Sequence, residues 1–372
     1  TVEEYYFSKK LREVNAMKTA GAPIINLGIG SPDLAPPKTV LAAITASFLD
    51  PTAHKYQSYQ GLPELRSAMA DFYQTHYNVA LNPDNEVLPL IGSKEGIMHI
   101  SMAYLNEGDA VLIPNPGYPT YTSVTKLVGA TPVFYDLKAS SNWQPDLAVL
   151  EAMDLSKVKI MWVNYPHMPT GTLGNEKTLK ALVDFAKTHH ILLINDNPYS
   201  FILNDQPSSI FNIEGAKEVC LELNSLSKTF NMAGWRVGML TGAAEHLNNV
   251  IKVKSNMDSG MFYGIQKGAI EALNSSKHWF TDLNKIYSER RELVWQLATA
   301  LNCTFETTTS GMFVWAKLPA GLHSEAFIDK VLQEHHIFIA PGTIFGSNGE
   351  GYIRFSLCAA KEHIESAIQR VI

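Results

Sequence analysis

From about residue 87 the chain alternates short apolar runs with stretches whose apolar residues recur every three or four positions. The runs include Ala110–Ile113, Pro132–Tyr135, Lys159–Val163, Ile191–Ile194, Val219–Leu223 and Val237–Leu240. A run that is apolar at nearly every position suits a strand covered on both faces. Between two of them, Glu176–Thr188 places Leu179, Leu182, Val183 and Ala186 on one face at helical spacing. Strand–helix alternation predicts an α/β fold with a mostly parallel central sheet. Ligands of such sheets bind at the carboxyl ends of the strands. Residues just past each apolar run are therefore the ones to read for chemistry.

Past residue 258 the pattern changes. Residues 258–300 carry several helical faces without strong breakers and predict one or two long helices. Beyond them Gly311–Leu318 and Tyr352–Leu357 predict strands, and Ser324–Gln333 predicts a helix. This is a smaller α+β unit. The opening TVEEYYFSKKLREVNAM predicts an amphipathic helix, and residues 1–37 are expected to pack with the C-terminal unit. The expected division is a large domain over 38–285 and a small domain made of 1–37 and 286–372.

Composition adds exclusions. A chain of 372 residues, 46% hydrophobic and 18% charged, suits a globular enzyme with a large core. Its net charge of −6 and lack of a long basic block argue against nucleic acid and anionic membrane surfaces as partners. No apolar run has the length of a membrane span. Cys220, Cys303 and Cys358 are few, odd in number and far apart, which predicts free thiols in a reducing cytoplasm. The pairs His189–His190 and His335–His336 are adjacent, so their members point to different faces. They read as solvated or capping residues, and no metal site is expected. The chain opens without methionine or an apolar signal core, from which a late start is expected.

The most informative run is SLSKTFNMAGWRVG, residues 225–238, directly after an apolar run. A lysine can form a Schiff base with an aldehyde. Ser225 and Arg236 beside Lys228 can hold a phosphate, the arginine through a planar fork of donors. An aldehyde and a phosphate on one small ring describe pyridoxal 5'-phosphate. A lone lysine would be an ordinary solvated side chain; the whole run is not. Gly92-Ser93-Lys94 opens a helical stretch, where free backbone N–H groups favour an anion, although Ser93 could be a plain N-cap. Asp196 and Tyr199 follow a buried run into a proline turn. The carboxylate there could pair with a pyridine nitrogen, or merely stabilise the turn. Tyr118, in Pro-Asn-Pro-Gly-Tyr-Pro, could stack on a ring or simply cover the core. Arg354 lies in an apolar strand-like run, where a buried guanidinium needs an anion, either a substrate carboxylate or a structural partner.

Taken in order, these motifs resemble class I/II aminotransferases, the fold-type I enzymes dependent on pyridoxal phosphate, from Gly28 to Arg354. The resemblance implies the aspartate-aminotransferase fold and transfer of an amino group between an amino acid and a 2-oxo acid. It makes Lys228 the Schiff-base lysine, Asp196 the partner of the ring nitrogen and Tyr199 a donor to ring O3'. Gly92, Ser93, Lys94, Ser225 and Arg236 would hold the phosphate, Tyr118 the ring face and Arg354 the substrate α-carboxylate. Gly30 would let backbone approach the substrate. Tyr59, two residues before Gly61, would reach the neighbouring subunit's phosphate, which implies a homodimer with shared sites. Gly-Tyr-Pro-x-Tyr resembles the branch with LL-diaminopimelate aminotransferases. One departure stands out. The family's Asn-Pro-Thr-Gly is here Met168-Pro-Thr-Gly171, so the usual asparagine is a methionine. Asn164 or His167 could compensate, or O3' could rely on Tyr199 alone. The same scaffold hosts lyases and decarboxylases, and in other chains regulators, so these stay as alternatives.

Overall fold

A computed structural model describes residue 4 and residues 6–372. In chain order the strands are β1 Ile25–Asn26, β2 Val87–Leu90, β3 Ala110–Asn115, β4 Thr131–Asp136, β5 Val158–Val163, β6 Leu192–Asp196, β7 Cys220–Ser225, β8 Gly238–Gly242, β9 Thr304–Phe305, β10 Phe313–Lys317, β11 Ile337–Phe338, β12 Ala340–Pro341 and β13 Tyr352–Ser356. Seven of them form the central sheet in the order β2-β8-β7-β6-β5-β3-β4. Only β8 runs against the others. The carboxyl ends of β2, β3, β5, β6 and β7 therefore share one edge, where the chemistry was sought.

The expectation of strands covered on both faces holds for β2, β3, β6, β7 and β8, which are buried at every position. It fails for β4. That strand forms one edge of the sheet, and Phe134 is 47% exposed. The other edge strand, β2, is buried all the same, with Val87 in one core cluster and Leu88 and Leu90 in another; which edge is covered on both faces is not revealed by an apolar pattern. Helices clad the inner strands. Glu176–His189 is one, begun by the Asn175 side chain accepting from the Thr178 N–H at 3.2 Å. It buries Leu179, Leu182, Val183, Phe185 and Ala186 and ends at His190 in the left-handed conformation. His336 caps the helix Ser324–His335 in the same way, so the second member of each histidine pair is a cap.

The long helical region resolves into Tyr263–Leu273 and Lys277–Ala300. The second helix runs through the expected boundary at 285. The C-terminal unit is an antiparallel sheet, β12-β13-β10-β9, with β13 carrying Arg354 opposite Trp315. The N-terminal segment returns to it, since β1 pairs in parallel with β11. Arg290 binds Asp33 through two bonds of 2.7 and 2.9 Å and donates to the Leu357 carbonyl, tying the first turn to both. The N-terminal helix spans Tyr6–Thr19; residues 1–3 and 5 of the expected helix lie outside the described residues. No helix among the described residues is long and apolar enough to cross a membrane.

Candidate active site

The edge formed by the strand ends opens into a cavity of about 500 Å³. At one end lies a concentration of positive charge. β2 leads through Ile91 to Gly92, which caps the helix Ser93–Tyr104 with φ of 80°. The cap is Gly92 rather than Ser93, which is the first helical residue. A Cβ on Gly92 would lie 2.0 Å from Arg236 Nη2, so the missing side chain is what lets the guanidinium lie on the turn. Arg236 Nη1 also donates to the Ala233 carbonyl at 2.8 Å and to Ser227 Oγ at 3.5 Å. Ser225 ends β7 and caps the short helix Leu226–Thr229, its Oγ accepting from the Ser227 N–H at 3.0 Å. Burial, and then the nearby Arg236, hold the Lys94 pKa below that of a free lysine. Two cations and two helix starts converge here, an arrangement suited to a phosphate.

Asp196, the last residue of β6, is 5% exposed. Its Oδ2 accepts from the Tyr121 hydroxyl at 2.7 Å, while its Oδ1 is buried without a hydrogen-bond partner among the described residues. Burial pushes its pKa up to about 6; Tyr121 opposes the rise and Glu222 on β7 adds to it. Tyr121 is itself fixed by stacking on Trp162, centroids 4.9 Å apart. Asn164, just past β5, donates to the Asp196 carbonyl at 2.6 Å and accepts from the Met168 N–H at 2.8 Å. An amide nitrogen carries two hydrogens, so Asn164 keeps a second one to give. Tyr199 lies edge-on to Phe313, and burial raises its phenol pKa.

Lys228 donates from Nζ to the Gly30 carbonyl. Burial lowers its pKa, and Arg354 and Arg236 push in the same direction against an opposing Cys358. A Cβ on Gly30 would lie 2.4 Å from the Phe313 ring, which explains the glycine. Arg354 sits over that ring, 3.8 Å from guanidinium carbon to centroid, with Phe345 at 4.7 Å and Phe7 at 5.6 Å. It donates to the Gly28 carbonyl at 2.9 Å and to the Met168 sulfur at 3.2 Å. Met168 thus touches the arginine. His167 is turned elsewhere: Nε2 faces the Pro116 carbonyl at 3.2 Å and Nδ1 faces Thr170 Oγ1 at 2.7 Å. Burial depresses its pKa to about 3, so it is neutral and has no free ring nitrogen to offer.

Of the candidate site residues singled out in the sequence, all but Gly92, Tyr59 and His167 line this one cavity. Gly92 lies against Arg236 beside it. Tyr59 is 44% exposed and lies away from the cavity. Others line the cavity without having been foreseen. Tyr121 was part of the Gly-Tyr-Pro-x-Tyr string and lies one helical turn after Tyr118, a spacing that places the two rings together. Ser227 lay inside the lysine run. Phe7 and Leu11 come from the N-terminal helix, and Phe313 and Phe345 from the C-terminal unit. Their sequence pattern says core, and nothing in it points to a site.

Comparison with known proteins agrees. An LL-diaminopimelate aminotransferase of Dehalococcoides mccartyi is 38% identical over 369 residues, covering 99% of this chain and 95% of the relative. The substrate-bound structure of BacF from Bacillus subtilis superposes with a TM-score of 0.94 at 35% identity, covering 100% and 95% of the two chains. An aromatic aminotransferase from Pyrococcus horikoshii OT3 gives a TM-score of 0.88 at 28% identity, covering 96% and 97%. The model of aminotransferase class I and II matches residues 22–371. Fold, strand-end cavity and likeness over nearly the whole length agree that this chain belongs to the class I and II aminotransferases.

Proposed function

We propose that the cavity binds pyridoxal 5'-phosphate through Lys228 and that the chain uses it to pass an amino group from an amino acid to a 2-oxo acid. The observation that carries this is Asp196 Oδ1, a buried carboxylate oxygen with no donor among the described residues, at the end of a central strand. It suits a protonated ring nitrogen. When bound, the cofactor supplies an aldehyde that condenses with amines and a ring that accepts electrons. The protein does the rest. Lys228, whose pKa burial lowers, gives up its proton more readily than a free lysine and would supply the amine for condensation and then for carrying the substrate's α-proton. Asp196 holds the ring proton. Tyr199 and the second hydrogen of Asn164 would be the donors for the ring oxygen in place of the usual asparagine, since Met168 turns its sulfur to Arg354. Arg354 takes the α-carboxylate through its fork. Tyr118 covers the ring face. Ser93, Lys94, Ser225 and Arg236 hold the phosphate.

Relatives named for LL-diaminopimelate and for aromatic substrates both resemble this chain, so a donor panel begins with those two classes and 2-oxoglutarate as acceptor. The expected domain division stands as part of the proposal, with the helix Lys277–Ala300 as the strut across it. So does the homodimer. Phe48, Leu49, Tyr56 and Met257 are exposed apolar side chains close in sequence to Tyr59 or to Phe262, whose ring stacks on Phe48. A second copy covering them would bring Tyr59 toward the neighbouring phosphate. The test is borohydride reduction followed by peptide mapping. The pyridoxyl group is expected on Lys228; a label on Lys94, or none, overturns the assignment.

A further inference from the structure

Next to the Ser93–Lys94 turn lies a charge cluster with no part in the roles above, its Lys254 and His99 buried and its Glu95 and Asp258 half-buried. Lys254, the last residue of the helix Ala244–Lys254, is 2% exposed. A buried ammonium is tolerated only when paired. Lys254 Nζ is paired twice, with Asp258 at close range and with Glu95 Oε1 at 3.6 Å. His99 Nε2 lies 2.7 Å from the same Glu95 oxygen. Ligand atoms of Glu95, His99 and Asp258 fall within 4.8 Å of one another, a spacing that could hold a metal ion. The lysine's own positive charge already serves two of the three groups, so the cluster reads as an internal ion network.

Its outward bonds give it a purpose. Glu95 is one residue beyond Lys94, and its Oε2 accepts from the Ile91 N–H, closing the turn that presents Gly92, Ser93 and Lys94. Asp258 Oδ1 accepts from the Gly260 N–H at 2.8 Å. Gly260 has φ of 87°, and a Cβ there would lie 2.5 Å from the Gln57 carbonyl oxygen. It packs against the loop that carries Tyr59. That loop is also held by Gln266, whose Oε1 accepts from the Leu62 N–H at 2.8 Å. Lys254 therefore joins a carboxylate that shapes the Ser93–Lys94 turn to a carboxylate that holds the support of the Tyr59 loop.

We propose that Lys254 is a positioning residue for the cofactor phosphate, binding the Ile91–Lys94 turn and the Tyr59 loop into one unit. This rests on the pyridoxal phosphate reading. Two ligands separate the inference from general loosening: pyridoxal 5'-phosphate, and pyridoxal, which has the same aldehyde and ring but no phosphate. Each is titrated into cofactor-stripped full-length protein. Lys254→Met is expected to weaken pyridoxal 5'-phosphate about tenfold, the scale seen when a group that orients a ligand contact is lost. Pyridoxal is expected to bind wild type and variant alike. Asp258→Asn keeps the shape of the cluster and carries the test should the methionine variant not fold. It is expected to weaken only the phosphorylated ligand and to speed hydrogen exchange at the Gly260 and Ile91 amides. Unchanged affinity for the phosphorylated ligand, or equal weakening of both ligands, overturns the proposal. Wild-type protein that binds neither ligand would instead overturn the cofactor reading itself.

Discussion

Asp196 shows how a single residue can act against the stability of the protein that carries it. An unfolded aspartate titrates near the ordinary value of 3.8, whereas the folded one titrates at about 6 because it is buried. Between those values the folded protein holds a proton that the unfolded chain has lost. The stabilising contribution is thus complete below the unfolded pKa and is lost as pH rises through the folded pKa. Cofactor-free wild type should lose stability between pH 4 and pH 6, by an amount on the order of 3 kcal/mol. Asp196→Asn should flatten that part of the profile and be more stable than wild type at pH 7, while losing transamination. Urea denaturation of both apo-proteins at pH 5 and pH 7 measures this. Parallel profiles would mean that the carboxylate is not strained. The residue's position was legible, since an aspartate leaving a buried run is visible in the sequence. Its partner Tyr121 was not, because a tyrosine buried at helical spacing looks like core until the strand beside it is known. Met168 was legible as a departure, but its contact was not. The bond to Arg354 joins residues 186 apart in the chain.

At the scale of elements, the strand ends do most of the positioning, and the inner strands could be read because they are apolar at almost every position. The edge strand β4 carries a similar pattern yet faces solvent, whereas β2 at the other edge is covered, since what packs on a strand is set by segments distant in the chain. Turns were harder to read than strands. The turn after β2 depends on backbone conformation: Gly92 has φ of 80°, and its hydrogen takes the place where a Cβ would meet Arg236. Gly92→Ala should therefore both strain the turn and push the guanidinium away. We expect cofactor affinity to fall about tenfold or more, the loss of roughly one hydrogen bond to a charged group. A backbone position that requires φ above zero adds a stability cost of about 1 kcal/mol. Titration of the apo-variant with pyridoxal 5'-phosphate, alongside its thermal unfolding, reads the two effects separately. An alanine variant with wild-type affinity would show that Arg236 does not depend on this turn.

For the whole molecule, residues from both ends of the chain complete one cavity: Phe7 and Gly30 from the start, Phe313, Phe345 and Arg354 from the end. The pairing of β1 with β11 is what brings them together. Tyr59 stands apart from the cavity and is exposed, as are Tyr56 and Leu49 near it in the chain, and in the proposed dimer it serves the neighbour's phosphate. Hybrid dimers test this directly. Lys228→Ala removes the amine from its own site, and Tyr59→Phe removes a hydroxyl from whichever site that tyrosine serves. If Tyr59 acts across the interface, a hybrid of the two variants has one site bearing both lesions and one bearing neither. Such a hybrid should show about half of wild-type activity, because a two-fold dimer carries two equivalent sites. Its working site should bind cofactor with wild-type affinity, whereas the Tyr59→Phe homodimer should bind it about tenfold or more weakly. If Tyr59 instead serves its own subunit, the hybrid's single functional lysine lies in the site lacking the hydroxyl. Its affinity then matches the Tyr59→Phe homodimer. Cofactor titration of hybrids isolated by a tag on each variant distinguishes the two, and the second result would remove Tyr59 from the shared site.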